Sequence, residues 1–347
     1  MGTIVHLIWS FNIGGAETML MNLVNEQVSL GANVKLVIIN NNYDQKLLNN
    51  INKKVEIFLL NRKPGSKSPI PIIKLNLLLL RIKPMVVHCH VGSIIDYIAK
   101  PLHKKTVLTM HTTGVVTPKK SLCKYSHIYA ISDAVKDILK QRFNIHSTTI
   151  MNGVVFDKII CKHTNNNSNK YRIVQIGRLV DNIKGQSVLL QAVSLLPTNV
   201  DVKVDIVGDG PDMKTLRTLC RDLGIESKID FLGARHQEYI QNNLHNYDML
   251  IQPSYVEGFG LTIVEAMAAK VPVIVSDIDG TSEVVENGKY GTIFHVGDYR
   301  DLAEKIIFSI NNIELLNNKA QKAYYYAKEK FSLSNTAKEY INNYKTI

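Results

Sequence analysis

Residues 253–274 read P-S-Y-V-E-G-F-G-L-T-I-V-E-A-M-A-A-K-V-P-V-I. The pattern is a strand end, a short glycine-bearing loop and then a helix. Glu257 falls in the loop, and Glu265 falls eight positions later in the helical segment. Between them, Gly258 and Gly260 let a ligand approach the backbone closely. A helix that begins near residues 260–262 turns its free N–H groups toward the loop, which makes an anion site out of backbone. A carboxylate on each side of such a helix start suits a ligand with hydroxyls at both ends and phosphate in the middle. A nucleotide-diphosphate sugar has that layout.

Working outward, apolar β-branched runs alternate with helical patterns. Strands are expected at 3–9, 33–39, 55–60, 85–90, 106–110 and 127–131, then at 172–176, 203–207, 228–232, 249–252, 271–275 and 291–294. Helical patterns at 17–30, 133–141, 185–195 and 213–223 separate several of them. Such alternation predicts parallel sheets covered on both faces. It occurs twice, and the chain of 347 residues is long enough for two domains. The break is the polar, Asn-rich stretch 162–170, which reads as a linker. Three helical patterns close the chain, at 302–311, 313–328 and 332–345, with Ser332 as an N-cap candidate.

The net charge of +11 is unevenly spread. Residues 1–160 carry 20 Lys+Arg against 8 Asp+Glu, a balance of +12, and residues 161–347 come to −1. A basic half expects an acidic partner, such as an anionic membrane surface, a nucleic acid or an acidic substrate. A solvated surface tuned for solubility explains the charge equally well. No run approaches the ~20 apolar residues of a membrane span. The first strand starts at once, so no signal peptide is expected. Cys89, Cys123, Cys161 and Cys220 are widely spaced, which fits a reducing cytoplasm better than a disulfide frame or zinc knuckle.

Further motifs stand at strand ends. After residues 171–176 comes G-R-L-V-D-N-I-K-G, with Arg178 and Lys184 ahead of a helix. A fixed cation pair there can neutralise a diphosphate and then the leaving group as its charge builds. An exposed basic loop is the alternative. Gly14 and Gly15 follow the first strand and open a helix, where Glu17 favours the dipole. Val207-Gly208-Asp209-Gly210 lacks the third glycine of a dinucleotide fingerprint, since Met213 holds that place. His88 and His90 share a strand face while Cys89 points away, so no metal cluster is expected from that run. Asp277 and Asp279 read as turn residues. The Lys/Tyr-rich stretch 324–330 reads as an amphipathic helix, and nucleic-acid binding is not expected.

The E-x7-E spacing of Glu257 and Glu265, set in E-G-F-G-L and E-A-M-A-A, resembles the retaining glycosyltransferases of family 4. So do G-R-x(4,5)-K-G at 177–185 and the G-G-A-E opening at 14–17. The resemblance runs from Gly14 to the final helix. It implies an α/β GT-B fold: two Rossmann-like domains with parallel sheets facing across a cleft. Domain 1–161 would bind the acceptor, with 331–347 crossing back to it, and domain 162–330 would bind the nucleotide sugar.

The resemblance also assigns roles. Arg178 and Lys184 clamp the donor phosphates, the backbone at Phe259, Gly260 and Leu261 approaches sugar and phosphate, and Glu265 takes the ribose hydroxyls. Gly14 and Gly15 approach the phosphates from the first domain. Gly208 lines the nucleotide side, and the backbone at Leu232 borders the base. Glu257 and His111 contact the sugar and stand as the catalytic candidates. The implied reaction is hexosyl or N-acetylhexosaminyl transfer from a nucleotide sugar, UDP-linked by preference, to a glycan or lipid-linked acceptor. Bacterial surface polysaccharide synthesis at the cytoplasmic face of the membrane is the expected setting, with no metal or other cofactor. A nucleotide-sugar epimerase of the same fold is the rival enzyme, and a basic nucleic-acid or membrane-binding module is the rival outside enzymology.

Overall fold

A computed structural model of the chain describes residues 2–163 and 170–347. They fall into two compact units, residues 1–153 with 333–347, and residues 154–332.

The first unit is built on seven strands: β1 (Ile4–Ile8), β2 (Val34–Asn40), β3 (Glu56–Arg62), β4 (Val86–Cys89), β5 (Thr106–Met110), β6 (His127–Ala130) and β7 (Thr148–Thr149). Their order is β3-β2-β1-β4-β5-β6-β7, every pair parallel. β1 and β4 are buried along their whole length. That explains their unbroken apolar runs, since a central parallel strand has helices on both faces. β3 carries an alternating, half-exposed pattern because it sits at the edge. Helix α1 (Gly15–Ser29) returns from β1 and buries Met19, Leu20, Leu23, Val24 and Val28.

Helix α2 (Ile70–Ile82) follows β3, with Pro71 in its first turn, where a missing N–H costs nothing. Only Leu75 and Leu79 are buried. The rest of its apolar surface, Ile70, Ile73, Leu77 and Leu80, stays 51–61% exposed.

The second unit holds β8 (Lys170–Ile176), β9 (Asp201–Val207), β10 (Ile229–Gly233), β11 (Met249–Gln252), β12 (Val273–Ser276) and β13 (Thr292–Phe294). The order is β10-β9-β8-β11-β12-β13, again all parallel. Helix α3 (Gln186–Ser194) covers this sheet with Val188, Leu189 and Val193 packed on Ile173, Val204 and Ile251. Each such side chain, fully buried, contributes roughly 1.5–3 kcal/mol. Helix α4 (Leu261–Ala268) lies between β11 and β12. Each sheet reverses its winding between its first and fourth strands, β1/β4 in one and β8/β11 in the other, and ligands of open α/β sheets bind at that point.

The division between units differs from the expected 161/162. Residues 154–163 belong to the second unit because its interior claims them. Ile160 N–H donates to the Gln241 carbonyl at 3.1 Å and Lys162 N–H to the Ala269 carbonyl at 2.8 Å. Lys162 Nζ reaches the buried Asp248 carboxylate at 2.8 Å and the Tyr247 carbonyl at 3.0 Å. Most of the expected linker, residues 164–169, lies outside the described residues.

The last helix, α5 (Leu333–Tyr344), belongs to the first unit and packs against α1. Two tyrosines peg it to the sheet. The hydroxyl of Tyr344 meets His88 Nδ1 at 2.6 Å, and that of Tyr340 meets Thr109 Oγ1 at 2.9 Å.

Candidate functional site

In the second unit Arg178, Lys184 and Glu257 stand on the loops at the switch point, while Gly208 follows β9 and Leu232 lies on the edge strand β10. The loop after β8 and the loop after β11 leave the two strands that flank the switch point. The carbonyl of Ile183 accepts from both Tyr255 N–H (2.9 Å) and Val256 N–H (3.1 Å), which joins the loops. Gly185 completes the seam. It sits at φ +64, and a Cβ there would land on the Pro253 carbonyl oxygen. Gly208, at φ +149, is in the same position against the Gly177 carbonyl. Only glycine fits either place.

Across this seam Lys184 Nζ donates to Glu257 Oε2 at 2.6 Å, both groups mostly buried. Arg178 is exposed beside them, and its guanidinium has no partner among the described residues. Gly260 turns the chain at φ +87 into α4, whose N-terminus no side chain caps and whose first turn carries no acid. Leu261 is the first helical residue. Phe259 is 2% exposed, with its ring edge-on to Phe331 at 5.4 Å, so only its backbone is available to a ligand. The result is a lysine ion-paired to Glu257, a free guanidinium and an uncapped helix start, groups of the kind that hold a diphosphate.

Glu265 lies on α4, 7% exposed. Burial raises its carboxyl to about 7, and one hydrogen bond from Gln237 Nε2 at 3.3 Å pulls weakly the other way. A carboxylate held so poorly has acceptor capacity left for hydroxyls. Gln237 gave no sign of itself in the sequence, since nothing local links it to Glu265. Leu232 stands half-buried in β10, where the strand ends.

The first unit places Gly14 as the extended N-cap of α1 and Gly15 as its first residue. The Glu17 carboxylate folds back against Gly14, and burial raises its pKa. His111 directly follows β5 and is partly exposed. Its Nε2 lies 3.1 Å from His90 Nδ1. His90 Nε2 in turn lies 2.9 Å from His6 Nδ1, and His6 Nε2 lies 2.8 Å from Gln27 Oε1. Burial is the first cause of the lowered pKa of His6, His88, His90 and His111, bringing His6 and His111 down to about 4. Asp277, read as a turn residue, accepts from Val296 N–H at 2.7 Å and meets His295 Nδ1 at 2.9 Å.

From the sequence, the run His88-Cys89-His90 predicts no metal cluster. Parallel pairing of β1 with β4 sets His6 opposite His88, so three histidines do meet, their ligand atoms within 4.8 Å of one another. Every ring nitrogen of the three already has a partner: His88 has Tyr344 and Thr109 (2.7 Å), and His6 and His90 have the chain just described. A cation would have to displace them.

The family model for glycosyl transferases group 1 matches residues 157–330, and that for glycosyltransferase family 4 matches residues 13–158. Among curated relatives, N-acetyl-alpha-D-glucosaminyl L-malate synthase of Bacillus anthracis is 33% identical over 159 residues, 46% of this chain and 40% of that protein. Phosphatidyl-myo-inositol mannosyltransferase of Mycobacterium leprae is 30% identical over 177 residues, 50% of this chain and 46% of that protein. The match thus spans about half the length of these relatives. Among solved structures, HepE of Anabaena in complex with UDP and glucose superposes with a TM-score of 0.82 at 19% identity, covering 100% of both chains. That likeness speaks to the fold, which is the α/β GT-B class. With its two Rossmann-like sheets and with half its length inside the group 1 model, the chain belongs to the glycosyl transferases group 1 family.

Proposed function

We propose that this protein transfers a hexosyl or N-acetylhexosaminyl group from a nucleotide-diphosphate sugar to a glycan or lipid-linked acceptor, with retention of configuration. The observation that supports the reading is the seam at the switch point, where Lys184 after β8 pairs with Glu257 after β11, just ahead of the uncapped start of α4 that carries Glu265. The second unit holds the donor, and the first receives the acceptor. A UDP donor is favoured because a solved neighbour carries UDP.

As the donor bond breaks, negative charge builds on the diphosphate. Arg178 and the helix start meet it, and Lys184 is drawn from Glu257 toward the phosphates. That leaves Glu257 free to accept from sugar hydroxyls. These cations make a metal unnecessary. A panel of UDP-, GDP- and ADP-sugars, scored by donor hydrolysis and thermal stabilisation, tests the reading. One donor should stabilise the protein and be hydrolysed at the same rate with EDTA present. Stabilisation by none, or activity abolished by EDTA and restored by magnesium, overturns the donor site or its independence of metal.

The acceptor reading extends to the membrane. The exposed stripe Ile70, Ile73, Leu77, Leu80 repeats at helical spacing on α2, and exposed Lys63, Lys67, Lys74, Arg81 and Lys83 surround it. An apolar stripe among cations fits an anionic bilayer surface, where each cation contributes about 1 kcal/mol. On this reading the enzyme works at the cytoplasmic face in surface polysaccharide synthesis. Sedimentation with vesicles decides it: binding to phosphatidylglycerol vesicles at low salt, lost in Leu77→Glu, supports the surface. No binding favours a soluble glycan acceptor.

A further inference from the structure

His111 ends a buried file of polar side chains that the reaction does not explain. From the interior outward the order is Gln27 on α1, His6 on β1, His90 after β4, and His111 after β5. Gln27, His6 and His90 are at most 6% exposed. Each step is a hydrogen bond between 2.8 and 3.1 Å.

A neutral imidazole has one donor and one acceptor nitrogen, so a chain of them has a direction. Here the Gln27 amide sets it. Its Oε1 can only accept, so His6 carries its proton on Nε2 and leaves Nδ1 bare. His90 must then donate from Nε2 to His6 and keep Nδ1 bare. His111 must donate from Nε2 to His90. Its own Nδ1 is left bare and has no partner among the described residues. The opposite rotamer of the Gln27 amide would reverse every proton in the file.

We propose that Gln27, His6 and His90 act as positioning residues that lock His111 in the Nε2–H tautomer, so that His111 presents Nδ1 as an acceptor for a sugar hydroxyl. A free imidazole populates both tautomers and can donate or accept. The locked one accepts only, and it selects a group that donates: a sugar hydroxyl or an acetamido N–H. The same packing keeps all three rings neutral, so the lock holds through the physiological range. The groups facing His111 from the neighbouring strands are His90 and His88, with His6 behind His90, all neutral imidazoles. Among the described residues, no carboxylate contacts any of the four rings.

The sugar-facing role of His111 rests on the proposed transfer, but the tautomer does not. It is read on ligand-free protein, so its failure is distinguishable from failure of the sugar-nucleotide panel. The experiment is nitrogen NMR of full-length protein labelled at histidine, with the His111 signals assigned by their loss in His111→Gln. At pH 7, His111 should show a protonated Nε2 and a bare Nδ1, and it should stay so to pH 5.5. Gln27→Met removes the anchoring oxygen at similar volume, and His111 should become a mixture of tautomers. A wild-type His111 that is protonated on Nδ1, mixed, or already charged at pH 6 overturns the lock. A Gln27→Met protein with the wild-type tautomer overturns the role of Gln27.

Discussion

Glu265 is buried at the expense of stability. Its unfolded carboxyl titrates near 4.5 and its folded one near 7, so the folded state keeps the proton across that window. Stability therefore falls as pH rises from about 4.5 to about 7, by on the order of 3 kcal/mol in all. Glu265→Gln removes this dependence. Between pH 5 and pH 8 the variant should lose less stability in urea than the wild type, and it should bind nucleoside diphosphate more weakly. Identical pH slopes for the two proteins would contradict a buried, poorly satisfied carboxyl. Arg178 is the opposite case, exposed and unpaired among the described residues. Arg178→Ala should leave the melting temperature unchanged and slow donor cleavage by on the order of 100-fold. Full activity would remove it from the leaving-group site. Both residues were legible from motif spacing, whereas Gln237 was not, because it reaches Glu265 only through the fold.

Among the elements, the two loops at the β8/β11 switch point depend on contact between backbones. Gly185 supplies it, and Gly31 is a built-in control, since it has φ +84 but open space around its missing Cβ. Gly31→Ala should cost about 1–2 kcal/mol, the strain of the left-handed region alone. Gly185→Ala adds a collision with the Pro253 carbonyl and should cost more, on the order of 3–5 kcal/mol, with loss of nucleotide-dependent stabilisation. Equal losses in urea would mean that the close approach is unimportant. Strand positions were largely readable from β-branched runs, and the shifts of a residue or two are ordinary fraying of local pattern. Helix α2 was not readable in this way. Its second half is rich in leucine, yet beside the edge strand β3 only Leu75 and Leu79 are buried.

For the whole molecule, the two units should answer pH in opposite senses. The first holds four histidines, three of them buried and His111 partly so, whose folded pKa lies below the unfolded value near 6.5. Their neutral packing contributes stability above pH 6.5 that is lost as pH falls from there toward 4, because the unfolded chain takes up protons first. Glu265 gives the second unit the reverse trend. Trp9, the one tryptophan, lies in the first unit and donates from Nε1 to Ser93 Oγ at 3.0 Å, so its fluorescence reports that unit alone. Its urea midpoint should drop between pH 7 and pH 5, while circular dichroism retains a later transition from the second unit. A Trp9 midpoint that does not move with pH would refute the neutral histidine file.

Local order along the chain was enough to tell strands from helices, through period-two and period-3.6 patterns. Glycines marked the tight turns, and Glu257, Glu265, Arg178 and Lys184 announced themselves by spacing within short segments. Features that depend on strand order and depth came only with assembly. Folding brought His6 to His88 and His90 from distant parts of the chain, gave residues 154–163 to the second unit through Asp248, and left the α2 stripe uncovered. The physical reason is that a pattern states which face of an element is apolar. What that face meets, and how deeply a titratable group is desolvated there, is set only when the sheets assemble.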